Sequence, residues 1–131
     1  MVEQERRCLG QLPQGERKLI CQRDIVLITF PFSDLASAKV RPALVLSNDR
    51  YNRSSEDFVA VPLTSNLRFR DYALLITNRD LESGKLIVDS KVKVDRVFSV
   101  SQQLVRMKIG RIQSEVHDKI TSMLLELLKR S

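Results

Sequence analysis

Arg41 stands directly before Pro42 in the run Arg41-Pro42-Ala43-Leu44-Val45-Leu46-Ser47, and a second run, Pro62-Leu63-Thr64-Ser65, ends in two hydroxyls. Pro42 fixes its own φ and biases the residue before it toward an extended backbone, so the Arg41 guanidinium is presented in a defined direction. A guanidinium is a planar fork of donors that matches a phosphate through parallel charge-assisted hydrogen bonds. Hydroxyls close by can orient that phosphate or a ribose 2′-OH. The same residues also suit plainer work: Arg41 a surface ion pair at a strand start, Thr64 and Ser65 a turn cap. On residue types alone both readings stand.

Other chemistries find little to work with. His117 is the single histidine and sits between Val116 and Asp118 near the chain's end. There it suits a surface or capping role better than a nucleophile's partner in a triad. With four glycines in all, the chain has no Gly-rich phosphate loop. Cys8 and Cys21 are the only cysteines; two free thiols are expected in a cytosolic setting. Metal ligation needs more Cys, His or clustered carboxylates at ligand spacing than this, so no metal and no cofactor are expected.

The elements that position Arg41 and Thr64 are short strands. Ile25-Val26-Leu27-Ile28-Thr29-Phe30 is β-branched, too short for a helix and stopped by Pro31, as expected of a buried strand. A small, polar loop spans Ser33 to Lys39, after which Ala43 to Leu46 forms a second strand, ended by Ser47-Asn48-Asp49. Phe58 to Leu63 is a third, with Pro62 suggesting an edge or a bulge, and Tyr72 to Thr77 a fourth. A turn is expected at Ser83-Gly84 and a short strand at Leu86-Ile87-Val88. Lys91 to Asp95 and Val105 to Ile109 alternate as strands with one wet face do.

Val116, Ile120, Met123, Leu124, Leu127 and Leu128 then fall on one helical face, with Ser114 as the expected cap and Lys129 and Arg130 at the negative end of the dipole. Residues 1–22 show no sustained period and read as a flexible N-terminal extension; a non-functional tail added by an upstream start is the alternative. The domain proper is set at 23–131. The expected architecture is mainly β: a small, curved sheet or barrel closed by an amphipathic C-terminal helix.

At 131 residues the chain is the size of one domain. No apolar run approaches the roughly 18–20 residues that span a bilayer, and the polar N-terminus lacks a secretory signal's apolar stretch. A cytoplasmic location and no membrane partner are expected. The 22 Lys and Arg against 16 Asp and Glu give a net charge of +6. An excess of cations favours polyanions, since each neutralised phosphate releases condensed counterions. Many basic proteins are simply soluble, so charge alone leaves nucleic acid open.

Several blocks in order carry a family resemblance: Asp24-Ile25-Val26-Leu27-Ile28, Phe30-Pro31-Phe32-Ser33-Asp34-Leu35, Lys39 through Ser47, Tyr51-Asn52, and Val61-Pro62-Leu63-Thr64-Ser65. Leu81 to Gly84, Asp89-Ser90 and Lys108-Ile109-Gly110 extend it. Over roughly residues 23–130 the sequence resembles the PemK/MazF toxins of type II toxin–antitoxin systems. The resemblance implies an SH3-like small β-barrel of the PemK/MazF/CcdB-like toxin fold, working as a homodimer. It also implies a metal-independent endoribonuclease that cuts single-stranded RNA at short sequences and is silenced by a cognate antitoxin. In such enzymes the ribose 2′-OH attacks the adjacent phosphate, leaving a 2′,3′-cyclic phosphate and a 5′-OH, and messenger RNA cleavage arrests growth.

That chemistry suits a chain without a triad, because the substrate supplies the nucleophile and the protein has only to position the phosphate, stabilise its charge and move protons. By motif, the resemblance makes Arg41 the group that stabilises the pentacovalent phosphorane, Thr64 the hydroxyl that aligns phosphate or 2′-OH, and Asp95 the candidate general base. An exposed strand carboxylate paired with a lysine is the alternative for Asp95. Ser65 and Lys93 are expected to assist in binding RNA. The loop Ser33 to Lys39, with Arg68 and Arg70 beyond the third strand, is expected to shape base recognition, and Phe32, Ser33 and Asp34 are expected to bind the substrate.

Two departures stand out. Arg23 replaces the glycine that many members carry before the Asp24 position, and it either contacts RNA or is solvated. Phe98-Ser99-Val100-Ser101-Gln102 replaces a stretch that begins with a basic residue, so Phe98 either packs or stacks on a base. Two other readings remain for a toxin of this shape: a non-nucleolytic binder of DNA gyrase, or an inert barrel that binds only its antitoxin.

Overall fold

The computed structural model describes residues 20–30 and 39–131. Most of the expected N-terminal extension, together with Phe32, Ser33 and Asp34, lies outside the described residues.

Eight strands form one antiparallel sheet: β1 (Asp24–Phe30), β2 (Lys39–Val45), β3 (Asp57–Thr64), β4 (Ala73–Ile76), β5 (Leu81–Gly84), β6 (Ser90–Lys93), β7 (Phe98–Ser101) and β8 (Val105–Ile112). Their order is β4-β6-β3-β2-β1-β8-β5, with β7 also on β3. Two helices complete the described chain, α1 (Asp49–Ser54) and α2 (Ser114–Leu128). The fold is mainly β with a C-terminal helix, as expected.

The apolar run in β1 has a direct cause. Alternate residues of a strand point to opposite faces, and here both faces are covered. Ile25, Leu44, Val61 and Leu63 face one core with Val92, Ile112, Val116 and Ile120. Val26, Ile28, Ala43, Val45, Phe58 and Ala60 face a second core on the other side. Strands buried on both sides read as continuous hydrophobic runs instead of alternating ones. Register shifts in the β1–β8 ladder, between Ile25 and Val26 and between Leu27 and Ile28, add the bends that curl the sheet.

Pro62 lies in a central strand. On one edge of β3, residues Asp57 to Ala60 pair with β7, and Leu63 and Thr64 pair with β6. Pro62 falls where the partner changes, a break that tolerates a residue with no N–H.

Three local expectations need correction. The segment Leu86 to Val88 is not a strand: Leu86 anchors the first core while Ile87 is almost wholly exposed. Apolar character was present there, but no strand edge was open to it. Instead of a turn, Ser83-Gly84 ends β5, which pairs with β8. Gly84 has φ +82, and a Cβ there would stand 2.3 Å from the Gly110 Cα, so the close approach of the two strands requires glycine.

The cap of α2 is Gln113, without a side-chain hydrogen bond, and Ser114 is already helical. Val116 and Ile120 are buried, Met123 and Leu124 pack beside them, and Leu128 is exposed. The covered stripe is therefore shorter than the apolar periodicity suggested.

Residues 20–22 are docked into the domain. Ile20 and Cys21 are buried, and the Gln22 side chain donates to the Leu46 carbonyl at 2.8 Å while its backbone N–H donates to Asp49 Oδ1 at 2.8 Å. Cys21 is disulfide-bonded, contrary to the expectation of free thiols; Cys8 itself lies outside the described residues. No helix among the described residues is long and apolar enough to cross a membrane.

Candidate nucleic-acid interface

The β2–β3 ladder pairs Val45 with Ala60, Leu44 with Val61 and Ala43 with Pro62. The ladder ends there; Arg41 lies two residues before Ala43 and Thr64 two residues after Pro62, so by strand alternation each stands on the face of its neighbour in that last pair. On the other edge of β3, Thr64 pairs with Lys91 of β6. Lys91 and Lys93 alternate with the buried Val92, so both lysines share the Thr64 face. The sheet thus gathers Thr64, Lys91 and Lys93, with Arg41 on the adjacent strand β2.

Beyond β3 the chain closes over one end of this face. Thr64, Asn66, Arg68, Phe69, Arg70 and Lys93 line an open depression of about 220 Å³. Local hydrogen bonds build its rim. The Asn66 N–H donates to Thr64 Oγ1 at 3.1 Å and the Arg68 N–H to Asn66 Oδ1 at 3.1 Å. Lys91 Nζ donates to the Arg68 carbonyl at 3.1 Å. Because Thr64 Oγ1 accepts from the backbone, its own proton is directed away from Asn66 and can be donated to an anion.

Asp95, just past β6, accepts from Arg70 Nη2 through both oxygens, at 3.3 and 3.2 Å. Arg96 Nε lies 3.9 Å from the same carboxylate. The paired-carboxylate alternative for Asp95 is therefore realised, with Arg70 as the partner in place of a lysine.

The remaining site candidates separate. Arg68 is exposed and lines the depression; Ser65 is exposed and does not line it. Phe98 packs: its ring centroid is 5.5 Å from that of Phe30, beside the second core, and it pairs with Ala60 across the β3–β7 ladder. The sequence missed Lys91, whose signal was its two-residue spacing from Lys93, and Phe69, which stood in a stretch without periodicity.

Two other polar groups are structural. Arg23 adopts φ +80, the left-handed region that favours glycine, and its Nη1 donates to Glu82 Oε1 at 3.0 Å and to the Ile112 carbonyl at 2.8 Å. Asp24, 2% exposed, accepts from the Cys21 N–H at 2.9 Å and from Arg111 Nε at 3.0 Å, with Lys108 Nζ at 3.2 Å. Tyr51-Asn52 belongs to a scaffold: Asn48 caps α1 through the Tyr51 N–H, Asn52 Oδ1 accepts from the Ser47 hydroxyl, and Gln102 Nε2 holds the Asn52 and Ser55 carbonyls.

His117 is half-buried in the first turn of α2. Burial, opposed by Asp118 and reinforced by Arg23, holds its imidazole below the ordinary value of 6.5. Among the described residues no group of three or more His, Cys, Asp or Glu side chains is placed to hold a metal ion.

Solved structures share this fold. A mycobacterial endoribonuclease in complex with its cognate antitoxin superposes with a TM-score of 0.68 at 18% identity, covering 85% of this chain and 98% of that one. MazF in a MazE–MazF complex from Deinococcus radiodurans gives 0.68 at 22%, covering 86% and 98%. MazF alone from the same organism gives 0.64 at 23%, covering 84% and 96%. No curated protein is a sequence match. The family described as PemK-like, MazF-like toxins of type II toxin–antitoxin systems matches residues 21–128. With most of its length matched, the chain belongs to that family of toxins.

Proposed function

We propose that this toxin is a metal-independent endoribonuclease that cleaves single-stranded RNA, messenger RNA included, by attack of a ribose 2′-OH on the adjacent phosphate. The observation that supports the reading is the clustering of Thr64, Lys91 and Lys93 on one face of β3 and β6, with Arg41 on the neighbouring strand β2. Cations there neutralise the RNA backbone. Arg41 stabilises the charge that grows on the phosphorane, and Thr64 donates to a phosphate oxygen or aligns the 2′-OH. A guanidinium gives up its proton reluctantly, so the electrostatic role is assigned to Arg41.

Asp95 is assigned as general base. Both its oxygens are engaged by Arg70, so the role requires Arg70 to move onto the incoming phosphate, which competes for the same guanidinium fork. Ser65, Arg68, Lys93, Phe32, Ser33 and Asp34 are assigned to binding the strand on either side of the scissile phosphate. The stacking alternative for Phe98 is not favoured, given its packing on Phe30.

The same basic face suits an acidic antitoxin segment that folds across it and blocks RNA, and the solved neighbours include an endoribonuclease bound to its antitoxin. A homodimer is the proposed working assembly. The test is cleavage of a mixed-sequence single-stranded RNA in excess chelator, beside Arg41→Ala. Discrete cuts ending in cyclic phosphate, lost in the variant, support the assignment. Intact RNA across many sequences contradicts it and turns attention to gyrase.

A further inference from the structure

Phe69 is 83% exposed, while Phe58 is fully buried and Phe98 packs against Phe30. An aromatic ring held in water forgoes the free energy that burial of its apolar area would return. Its surroundings are not those of a loose loop tip. Phe69 lines the same depression as Thr64 and Lys93 and lies between two arginines. The segment that carries it is tied down at its backbone by Lys91 Nζ, which holds the Arg68 carbonyl, and Arg70 rests on Asp95 until a phosphate draws it away. The ring is thus displayed from a fixed backbone beside the proposed phosphate site.

We propose that Phe69 is the stacking platform for one base of the RNA, next to the scissile phosphate held at Thr64. The inference rests on the ribonuclease reading and adds a contact that sets the register of the strand. An exposed aromatic face beside a row of cations is the arrangement that single-stranded nucleic acids use: cations follow the backbone while the ring takes a base. Stacking accepts any base, because every base presents a π-face. Phe69 therefore contributes affinity and register, and base identity is read elsewhere.

The test compares wild type, Phe69→Trp, Phe69→Leu and Phe69→Ala on one short RNA that the wild type cuts at a single site, in chelator. A matching set of RNAs carries an abasic nucleotide at each position flanking that site. Alanine and leucine are expected to lower kcat/KM by about 5- to 100-fold, the range that loss of one base–aromatic stack produces, with tryptophan close to wild type. One abasic position is expected to harm wild type and leave the alanine variant no worse than it already is. That non-additivity identifies the stacked base and is not produced by a merely structural change.

All four proteins are expected to melt at the same temperature, since the ring is outside both cores. Equal cutting by wild type and alanine overturns the inference and leaves the ribonuclease reading intact. So does additive loss at every abasic position, and so does a variant that cuts normally but escapes its antitoxin, which makes Phe69 a protein contact. Absence of cutting by the wild type rejects the reading itself, and the inference falls with it.

Discussion

Both carboxylate oxygens of Asp95 accept from one guanidinium nitrogen of Arg70, at 3.3 and 3.2 Å, and Arg70 lines the depression that Thr64 lines. The pair is about one-third exposed on each side, so as an ion pair it contributes little to stability. Its significance lies in which group the substrate displaces. If Asp95 takes the 2′-OH proton once Arg70 has turned to phosphate, Asp95→Asn lowers kcat by about 10²- to 10⁴-fold, and Arg70→Met costs less. Equal losses in the two single variants, with no further loss in the double variant, would reassign Asp95 to holding Arg70 in place.

Arg23 sits in a conformation that glycine adopts without penalty and other residues do not. Its side chain is spent on Glu82 and the Ile112 carbonyl, which answers the choice between RNA contact and solvation with a third outcome. Arg23→Ala keeps the backbone strain and loses both hydrogen bonds, whereas Arg23→Gly loses the bonds and relieves the strain. Denaturant titration is expected to rank wild type above glycine and glycine above alanine, the last two separated by about 1 kcal/mol, the left-handed cost of an L-residue less the entropy that glycine forfeits. Alanine equal to or above glycine would show that φ carries no cost here. RNA cleavage per folded molecule is expected to match wild type in both.

Asp24 is the one buried carboxylate among the described residues, and Arg111, itself 8% exposed, bonds to it. Removing one partner strands the other charge, which costs about 3–5 kcal/mol when the pair is buried. Asp24→Ala is expected to lose that much in urea unfolding while the fraction still folded cleaves RNA normally. A loss below about 1 kcal/mol would mean that water reaches Arg111 readily.

His117 titrates below its ordinary value because burial penalises the imidazolium, with Arg23 adding to the effect and Asp118 opposing it. Between its folded-state value and 6.5 the unfolded chain binds more protons than the folded one, so stability rises with pH through that window. Its contribution is fully present above that window and is lost as pH falls below about 6.5. Melting temperatures are expected to drop on acidification from pH 7.5 to 5.5, and to drop less in His117→Gln. Identical profiles would place the titration in other groups.

The strands that carry the site were legible because their burial is two-sided: Ile25 to Ile28 and Ala43 to Val45 are apolar at every position, and only a doubly covered strand needs that. Lys91-Val92-Lys93 was legible for the opposite reason, one wet face against one buried face. What failed depended on partners distant in sequence. α1 is polar throughout and exists because Asn48 caps it and Asp49 anchors the Gln22 N–H. β7 is held by the β3 edge that Asp57 to Ala60 leaves open, and Ile87-Val88 had β-propensity but no edge to join.

The site divides in the same way. Arg41 and Thr64 could be named from Pro42 and from family blocks, but the pairing of Thr64 with Lys91 is set by the β3–β6 register. The Arg70–Asp95 bond and the display of Phe69 required the loop after β3 to be built.

The central claim, that the RNA supplies its own nucleophile and Arg41 with Thr64 stabilises the displacement, is tested most directly by one atom of the substrate. A short RNA with a single cleavage site would be compared with the same strand carrying 2′-deoxyribose only at the nucleotide 5′ to the scissile phosphate, with cutting followed in chelator. The account predicts that the deoxy strand binds with nearly unchanged affinity and is not cut at that site, while the parent strand yields a 2′,3′-cyclic phosphate and a 5′-OH. Cleavage of the deoxy strand at the parent rate would mean that a protein group or water attacks the phosphate, and the mechanism built on Arg41 and Thr64 would be wrong.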